Sequence, residues 1–393
     1  MSCSVPALRR SLAELAAWLV LLLGCGPEPG TTPTVPNSPP DGVGGGLPDA
    51  GPADAGDGGP VDAEPPADAA SSPVWLGVTP NARQEGDAPA TAADELEAEL
   101  TVRAAGVRAF VLFERWNELE DKGLEPLAGR VAGLRESGLH VGLCLMVVDG
   151  SKAYRPAAVQ DLDWDASETA SALGVLTGKI VEAMGGEIEA LILGRAADRY
   201  LEAHPGESHA LRALLEKAVA GATELAPASL RVGVGLSFTP APPQDYVALA
   251  SLGTVTALGY LPGLGEEPVS AQVQVAKDLD AMIALAGARP IDLVGAGFTS
   301  SAGLGSSPEL QEQTLAGLFA ALAPRSPSFR MVNVYALHDR AGAGCDAFAA
   351  GRGYGPDEPA ARYLCEAGLR AVDGAAKPAW LALLAAAAAF ASP

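Results

Sequence analysis

Histidine and cysteine are scarce in this chain, four and five residues among 393, and they are scattered. No Cys-x-x-Cys pair or His-rich tract occurs, so no metal centre is expected. Neither glycine-rich phosphate loop, Gly-x-Gly-x-x-Gly or Gly-x-x-x-x-Gly-Lys-Ser/Thr, occurs, so no nucleotide cofactor is expected. Basic residues are also few. Lys and Arg total 26 against 48 Asp and Glu, a formal charge of −22. That balance excludes a nucleic-acid partner, which needs a basic face, and it disfavours docking on anionic lipid. Aromatic residues make up only 5%, few for a protein that stacks on sugar rings.

What is present begins with a leader. Arg9 and Arg10 precede a mostly apolar run from Leu12 to Leu23, closed by Gly24-Cys25. A basic start, a short apolar run and a small residue read as a secretory signal. The run holds Glu14 and is about a dozen residues long, whereas a membrane span needs roughly 20. Leu22-Leu23-Gly24-Cys25 resembles the bacterial lipobox, which implies cleavage before Cys25 and acylation of it. The expected location is the bacterial cell envelope, the protein exported and held to a membrane by lipid on Cys25. Residues 25–72 then form a tether rich in Pro, Gly, Ala and Asp, without Lys or Arg. It lacks the apolar surface to offset ordering entropy, and at ~3.1 Å per residue it could reach on the order of 100 Å. Cys3 leaves with the signal of residues 1–24. Cys144 sits in an apolar strand. Cys345 and Cys365 flank a Gly/Pro-rich loop and in an exported chain are either a disulfide or two free thiols.

Residues 73–393 suffice for one α/β barrel. Apolar runs read as strands near Val74–Val78, Ala109–Phe113, His140–Val147, Ala190–Leu193, Arg231–Ser237, Val255–Tyr260, Ile291–Ala296 and Met331–Leu337. Helical patterns fall near Ala92–Ala105, Leu127–Ser137, Ser167–Met184, Ser208–Leu225, Pro243–Ser251, Val269–Ala286, Ser307–Leu322 and Pro378–Ala391. Ser208, Ser307-Pro308 and Lys377-Pro378 mark helix starts. Continuous apolar strands alternating with helices imply a parallel sheet covered on both faces, and eight units imply a closed (β/α)8 TIM barrel. Function in such a barrel sits at the C-terminal strand ends. That rule nominates Thr79, Glu114, Arg115, Trp116, Asp149, Arg195, Asp198, Tyr200, Phe238, Tyr260, Phe298, His338 and Asp339.

Four strand-end motifs carry a family resemblance. Phe113-Glu114-Arg115-Trp116-Asn117, with Leu124-Glu125-Pro126 downstream, is similar to the second-strand loop of clan A glycoside hydrolases. Asp198-Arg199-Tyr200-Leu201 is similar to the run after their acid/base. Gly295-Ala296-Gly297-Phe298, with Gly305-Ser306-Ser307 and Gln311 downstream, resembles their nucleophile strand. Val334-Tyr335-Ala336-Leu337-His338-Asp339 and Lys377-Pro378-Ala379-Trp380 resemble the closing unit. The likeness spans most of Val74 to Leu384 and implies a sugar-handling barrel. Trp116 is then either a platform for a sugar ring or packed beneath its own loop.

The same resemblance places the acid/base at Ala196, following Arg195, and the nucleophile at Gly295. Retaining hydrolysis needs two carboxyls ~5–5.5 Å apart, and neither residue supplies one. Asp149, Asp198, Glu114 and Asp339 remain as carboxylates that could be relocated catalysts, or could brace loops and pair with arginines. Three readings follow. The first is a membrane-tethered glycoside hydrolase-like barrel without chemistry, a pseudoenzyme that acts as a surface or periplasmic scaffold or binds a glycan through Trp116, Asn117, Arg195, Asp198, Tyr200, Phe238, Tyr260, Phe298 and His338. The second is an active O-glycosyl hydrolase using relocated carboxylates. The third is a purely structural or protein-binding lipoprotein.

Overall fold

The computed structural model describes residues 74–83, 90–269 and 274–391. The signal, Cys25 and the tether lie outside them. Eight parallel strands close into a barrel: β1 (Trp75–Val78), β2 (Ala109–Arg115), β3 (His140–Asp149), β4 (Ile188–Arg195), β5 (Arg231–Ser237), β6 (Thr256–Tyr260), β7 (Ile291–Ala296) and β8 (Phe329–Val334). Each pairs with its sequence neighbour, and β1 pairs with both β2 and β8 to complete the ring. This is the (β/α)8 architecture expected from the alternating pattern. A two-residue arm, Lys152–Ala153, folds back antiparallel on the end of β3.

Strand parity sorts the core into two layers. Ala109, Val111, Cys144, Met146, Ala190, Ile192, Ala257, Val294 and Met331 fill the barrel interior. Their neighbours Phe110, Leu112, Val141, Leu143, Leu191 and Leu193 face outward into the layer shared with the helices. The interior is tight: a Cβ on Gly142 would lie 2.8 Å from Met331 Cε. Glycine there lets the methionine cross the barrel axis. At the lower rim Asp292, fully buried, takes the Arg231 guanidinium at 3.0 Å, and His140 stacks on Trp75 at 3.7 Å. These contacts brace the end opposite the site.

The structure departs from the expected elements in several places. Strand eight runs from Phe329 to Val334 rather than from Met331 to Leu337, because Leu337 and the residues before it turn to hydrogen-bond Thr79 and Ala296. The helix expected from Val269 starts at Val275. Ser208 is the first helical residue rather than a cap, with no side-chain capping bond at that end. Ser307 does cap as expected, its Oγ accepting from Leu310 N–H at 3.2 Å.

Short helices escape the sequence pattern because they fall inside loops. They are α2 (Trp116–Lys122), α5 (Ala197–Ala203), α10 (Gly342–Ala350) and α11 (Pro359–Cys365), numbered among twelve helices of the described residues. The last two form an excursion between β8 and the closing helix α12 (Pro378–Ala391). A disulfide between Cys345 and Cys365 ties its two helices together. No helix of the described residues is long and apolar enough to cross a membrane.

Candidate functional site

The upper mouth of the barrel holds two adjoining cavities. The first, a narrow cavity of about 90 Å³, is lined by Phe113, Asp149, Arg195, Ala196, Phe238, Gly259, Gly295, Tyr335, Arg352 and Tyr354, among others. The second, lined by Thr79, Arg115, Met146, Tyr154, Arg340 and Phe348, shares with it Phe113, Asp149, Arg195, Tyr335 and Arg352.

Local backbone features aim the shared wall. Between Leu145–Leu193 and Asp149–Arg195 the pairing of β3 with β4 slips register, a bulge in β3. Bulges re-aim side chains, and this one sets Asp149 opposite Arg195. On β4, Gly194 takes φ 75° and Ala196 φ 51°, so strict alternation lapses and both Arg195 and Ala196 line the mouth. Ala196 is the one non-glycine residue at positive φ among those described, and such strain gathers at functional sites. Gly295 leaves open space: a Cβ there would meet only the Tyr335 ring, at 3.9 Å.

Arg195 grips Asp149 with two parallel bonds, Nε to Oδ1 at 2.8 Å and Nη2 to Oδ2 at 2.5 Å. Arg352 Nε stands 3.6 Å from the same Oδ2. Burial alone would lower the Arg195 pKa, but the Asp149 carboxylate more than reverses this, so the guanidinium stays charged. The Phe113 ring lies beneath it, 4.9 Å from the guanidinium carbon.

The other three candidate carboxylates point elsewhere. Glu114 lies one residue off the inward parity of Phe113 and Arg115, and the charges nearest it are Arg130, Lys122 and Glu118 of the outer layer. Asp339 is buried and bonded to Lys377 Nζ at 2.6 Å and to the Gly368 N–H at 2.9 Å, so it locks the closing segment. Asp198 accepts the Ser237 N–H at 2.7 Å and lies along a separate groove beside Glu202 and Tyr246. Desolvation pushes the Asp198 carboxyl up to about 6.

That shift has a testable sign. A carboxyl whose folded pKa is raised contributes most below its unfolded pKa and loses that contribution as pH rises through the folded value. Asp198→Asn keeps an acceptor for Ser237 and removes the buried charge. The variant should match the wild type near pH 4 and exceed it above pH 7, by on the order of 2 kcal/mol. Urea denaturation of both proteins across that range measures the difference. A gap that is constant with pH would show that Asp198 is not charged against its burial.

Most of the expected aromatic platforms are core residues. Trp116 is fully buried in the outer layer, on the outward parity set by Phe110 and Leu112. Phe298 is fully buried and packs edge-on to Tyr363. Tyr200 turns away from the mouth, its hydroxyl donating to Glu207 at 2.7 Å and its ring stacking on His204. Tyr260 is 2% exposed, its hydroxyl donating to Asp278 at 2.8 Å. His338 is fixed through Nδ1 to the Asn81 carbonyl at 2.9 Å, and Asn117 lies in α2 beneath the arm, its N–H donating to the Tyr154 carbonyl. Of the nine expected ligand contacts, Arg195 and Phe238 line the principal cavity. The sequence reading missed Phe113, Tyr335, Arg340, Phe348, Arg352 and Tyr354. A signal existed for the last four: a connection of more than thirty residues after β8, carrying Gly351-Arg352-Gly353-Tyr354-Gly355, is far longer than barrel loops need and such loops are usually functional. Among the described residues no cluster of His, Cys, Asp or Glu could hold a metal ion.

Comparison with solved structures agrees with this architecture. The chain is similar to a GH5_18 protein from Bifidobacterium longum subsp. longum (TM-score 0.64, 17% identity, covering 82% of this chain and 80% of that one). It is also similar to a GH5_18 protein from Streptomyces cattleya in complex with GlcNAc (TM-score 0.63, 16% identity, covering 82% of each). An exo-beta-1,4-mannosidase from Opitutaceae bacterium strain TAV5 has TM-score 0.59 at 14% identity, covering 80% of this chain and 59% of that one. The fold is thus that of the glycoside hydrolase TIM barrels. At such identities the likeness is one of fold. No family model and no curated protein matches the sequence.

Proposed function

We propose that this chain is a glycan-binding barrel without glycosidase chemistry, held at the bacterial envelope through lipid on Cys25 and a long tether. One observation carries the reading. The principal cavity contains Ala196 and Gly295 at the two positions where the resemblance places catalytic carboxyls, and its sole carboxylate is Asp149, with both oxygens taken by Arg195. Retaining hydrolysis needs one carboxyl to attack and another to protonate the leaving oxygen. A single carboxylate clamped by a guanidinium is a poor proton donor, because the cation favours its charged form.

What remains suits binding. Phe113, Phe238, Tyr335 and Tyr354 offer ring surface, and Arg195, Asp149 and Ser237 offer polar contacts, in one cavity. The Streptomyces cattleya barrel holds GlcNAc, which supports a sugar in the corresponding mouth here. The test combines a glycan-array screen with aryl-glycoside turnover on one preparation of the full chain. Binding with turnover no faster than buffer is the expected result. Turnover abolished by Asp149→Asn or Asp198→Asn would establish a hydrolase with relocated carboxylates. Silence in both assays would make the barrel a scaffold.

A further inference from the structure

The second of the two mouth cavities is built for negative charge. Four guanidiniums, from Arg115, Arg195, Arg340 and Arg352, line it against one carboxylate, Asp149. This inverts the charge of a chain whose formal total is −22. Arg195 is committed to Asp149, and Arg115 bonds Glu118 at 2.8 Å outside the cavity. Arg340 and Arg352 stack on the Phe348 ring, each guanidinium carbon 3.7 Å from its centroid. Two like charges thus flank one ring, and Asp149, 3.6 Å from Arg352, is the one carboxylate that lines the cavity with them.

Two donors in this wall have no partner. Arg340 Nη1 and the Tyr335 hydroxyl are both buried and make no hydrogen bond. Tyr335 is 8% exposed. Orphaned buried donors are rare, and each calls for an acceptor. A carboxylate offers two oxygens in a plane, the geometry that a guanidinium and a neighbouring hydroxyl can satisfy together. The adjoining first cavity, with its apolar floor and ring surface, sits across the shared Asp149–Arg195 wall.

We propose that the barrel recognises an acidic sugar, a uronate-type residue whose carboxylate enters the Arg340–Tyr335 cavity while its ring lies toward the adjoining one. This rests on the glycan-binding reading above and names the ligand class. The alcohol of the matching neutral sugar offers one uncharged oxygen where the carboxylate offers two charged ones, so it cannot serve both donors as well.

The test compares binding of the full chain to matched oligosaccharides, one set uronate-containing and one with the same sugars reduced to the neutral alcohol, by isothermal titration calorimetry. Uronate oligomers should bind at least tenfold more tightly than the neutral set. Tyr335→Phe removes a hydroxyl that no protein group uses, so the fold should be unaffected, and uronate affinity should drop about tenfold. Neutral affinity should fall much less than uronate affinity. Arg340→Met should abolish the preference, with circular dichroism confirming a folded protein. Equal binding of the two sets would overturn the acidic-sugar inference and leave glycan binding standing. Binding of neither set would overturn both. Inorganic sulfate or acetate competing as well as the uronate oligomer would reduce the site to one for small anions, overturning the sugar component.

Discussion

Lys377→Met should unfold the closing segment of the barrel and lower stability by about 3–5 kcal/mol. The ammonium is 8% exposed, and its donors go to Asp339 Oδ1 at 2.7 Å, Ser300 Oγ at 2.8 Å and the Gly368 carbonyl at 2.9 Å. Burial drags the Lys377 pKa down and the Asp339 pKa up, and each partner's charge opposes that drift. Methionine matches the shape of the stem and strands the Asp339 carboxylate without a cation. The double variant Lys377→Met/Asp339→Asn should recover much of the loss, since the penalty comes chiefly from the unpaired charge. Urea denaturation of the two single variants and the double gives the coupling. A loss below about 1 kcal/mol for Lys377→Met would mean the pair is not what holds this segment.

The barrel is legible in the sequence because its strands are buried on both faces, so each reads as an unbroken apolar run such as Val141 to Val148. The site is less legible because it depends on parity and on distant contacts. Ala109 and Val111 face inward, and extending that parity gives Phe113 and Arg115, not Glu114 or Trp116. Taken as a block, the motif Phe113 to Asn117 conceals which of its members reach the mouth. Helix α2 has seven residues, too short for a periodic pattern to register. The arginines on the far side come from the excursion after β8, and Arg352 meets Asp149 across some two hundred positions of sequence. No local pattern encodes such a meeting. Arg195 is legible because it stands at the end of a strand, and its clamp on Asp149 is not, because that depends on Asp149 being placed beside it.

Asp149→Asn should produce the second large effect, and its character separates a structural ion pair from a ligand-ready one. The substitution keeps one acceptor but removes the charge that balances Arg195 and Arg352, leaving the mouth with guanidiniums alone. The expected loss is about 3–5 kcal/mol, that of breaking a buried pair by removing one member. An anion that binds only the folded state adds stability that grows with its concentration. Sulfate titrated into the variant should therefore restore much of the lost melting temperature, while the wild type, with Asp149 in place, should respond weakly. Sodium chloride at matched ionic strength is the control, because screening acts on both proteins alike. If sulfate and chloride act identically on the variant, the cluster is stabilised by screening alone and the mouth has no discrete place for an anion. If sulfate rescues selectively, Asp149 is the internal stand-in that holds the arginines in position. An acidic ligand then finds a cavity already organised, and little of its binding energy is spent ordering the site.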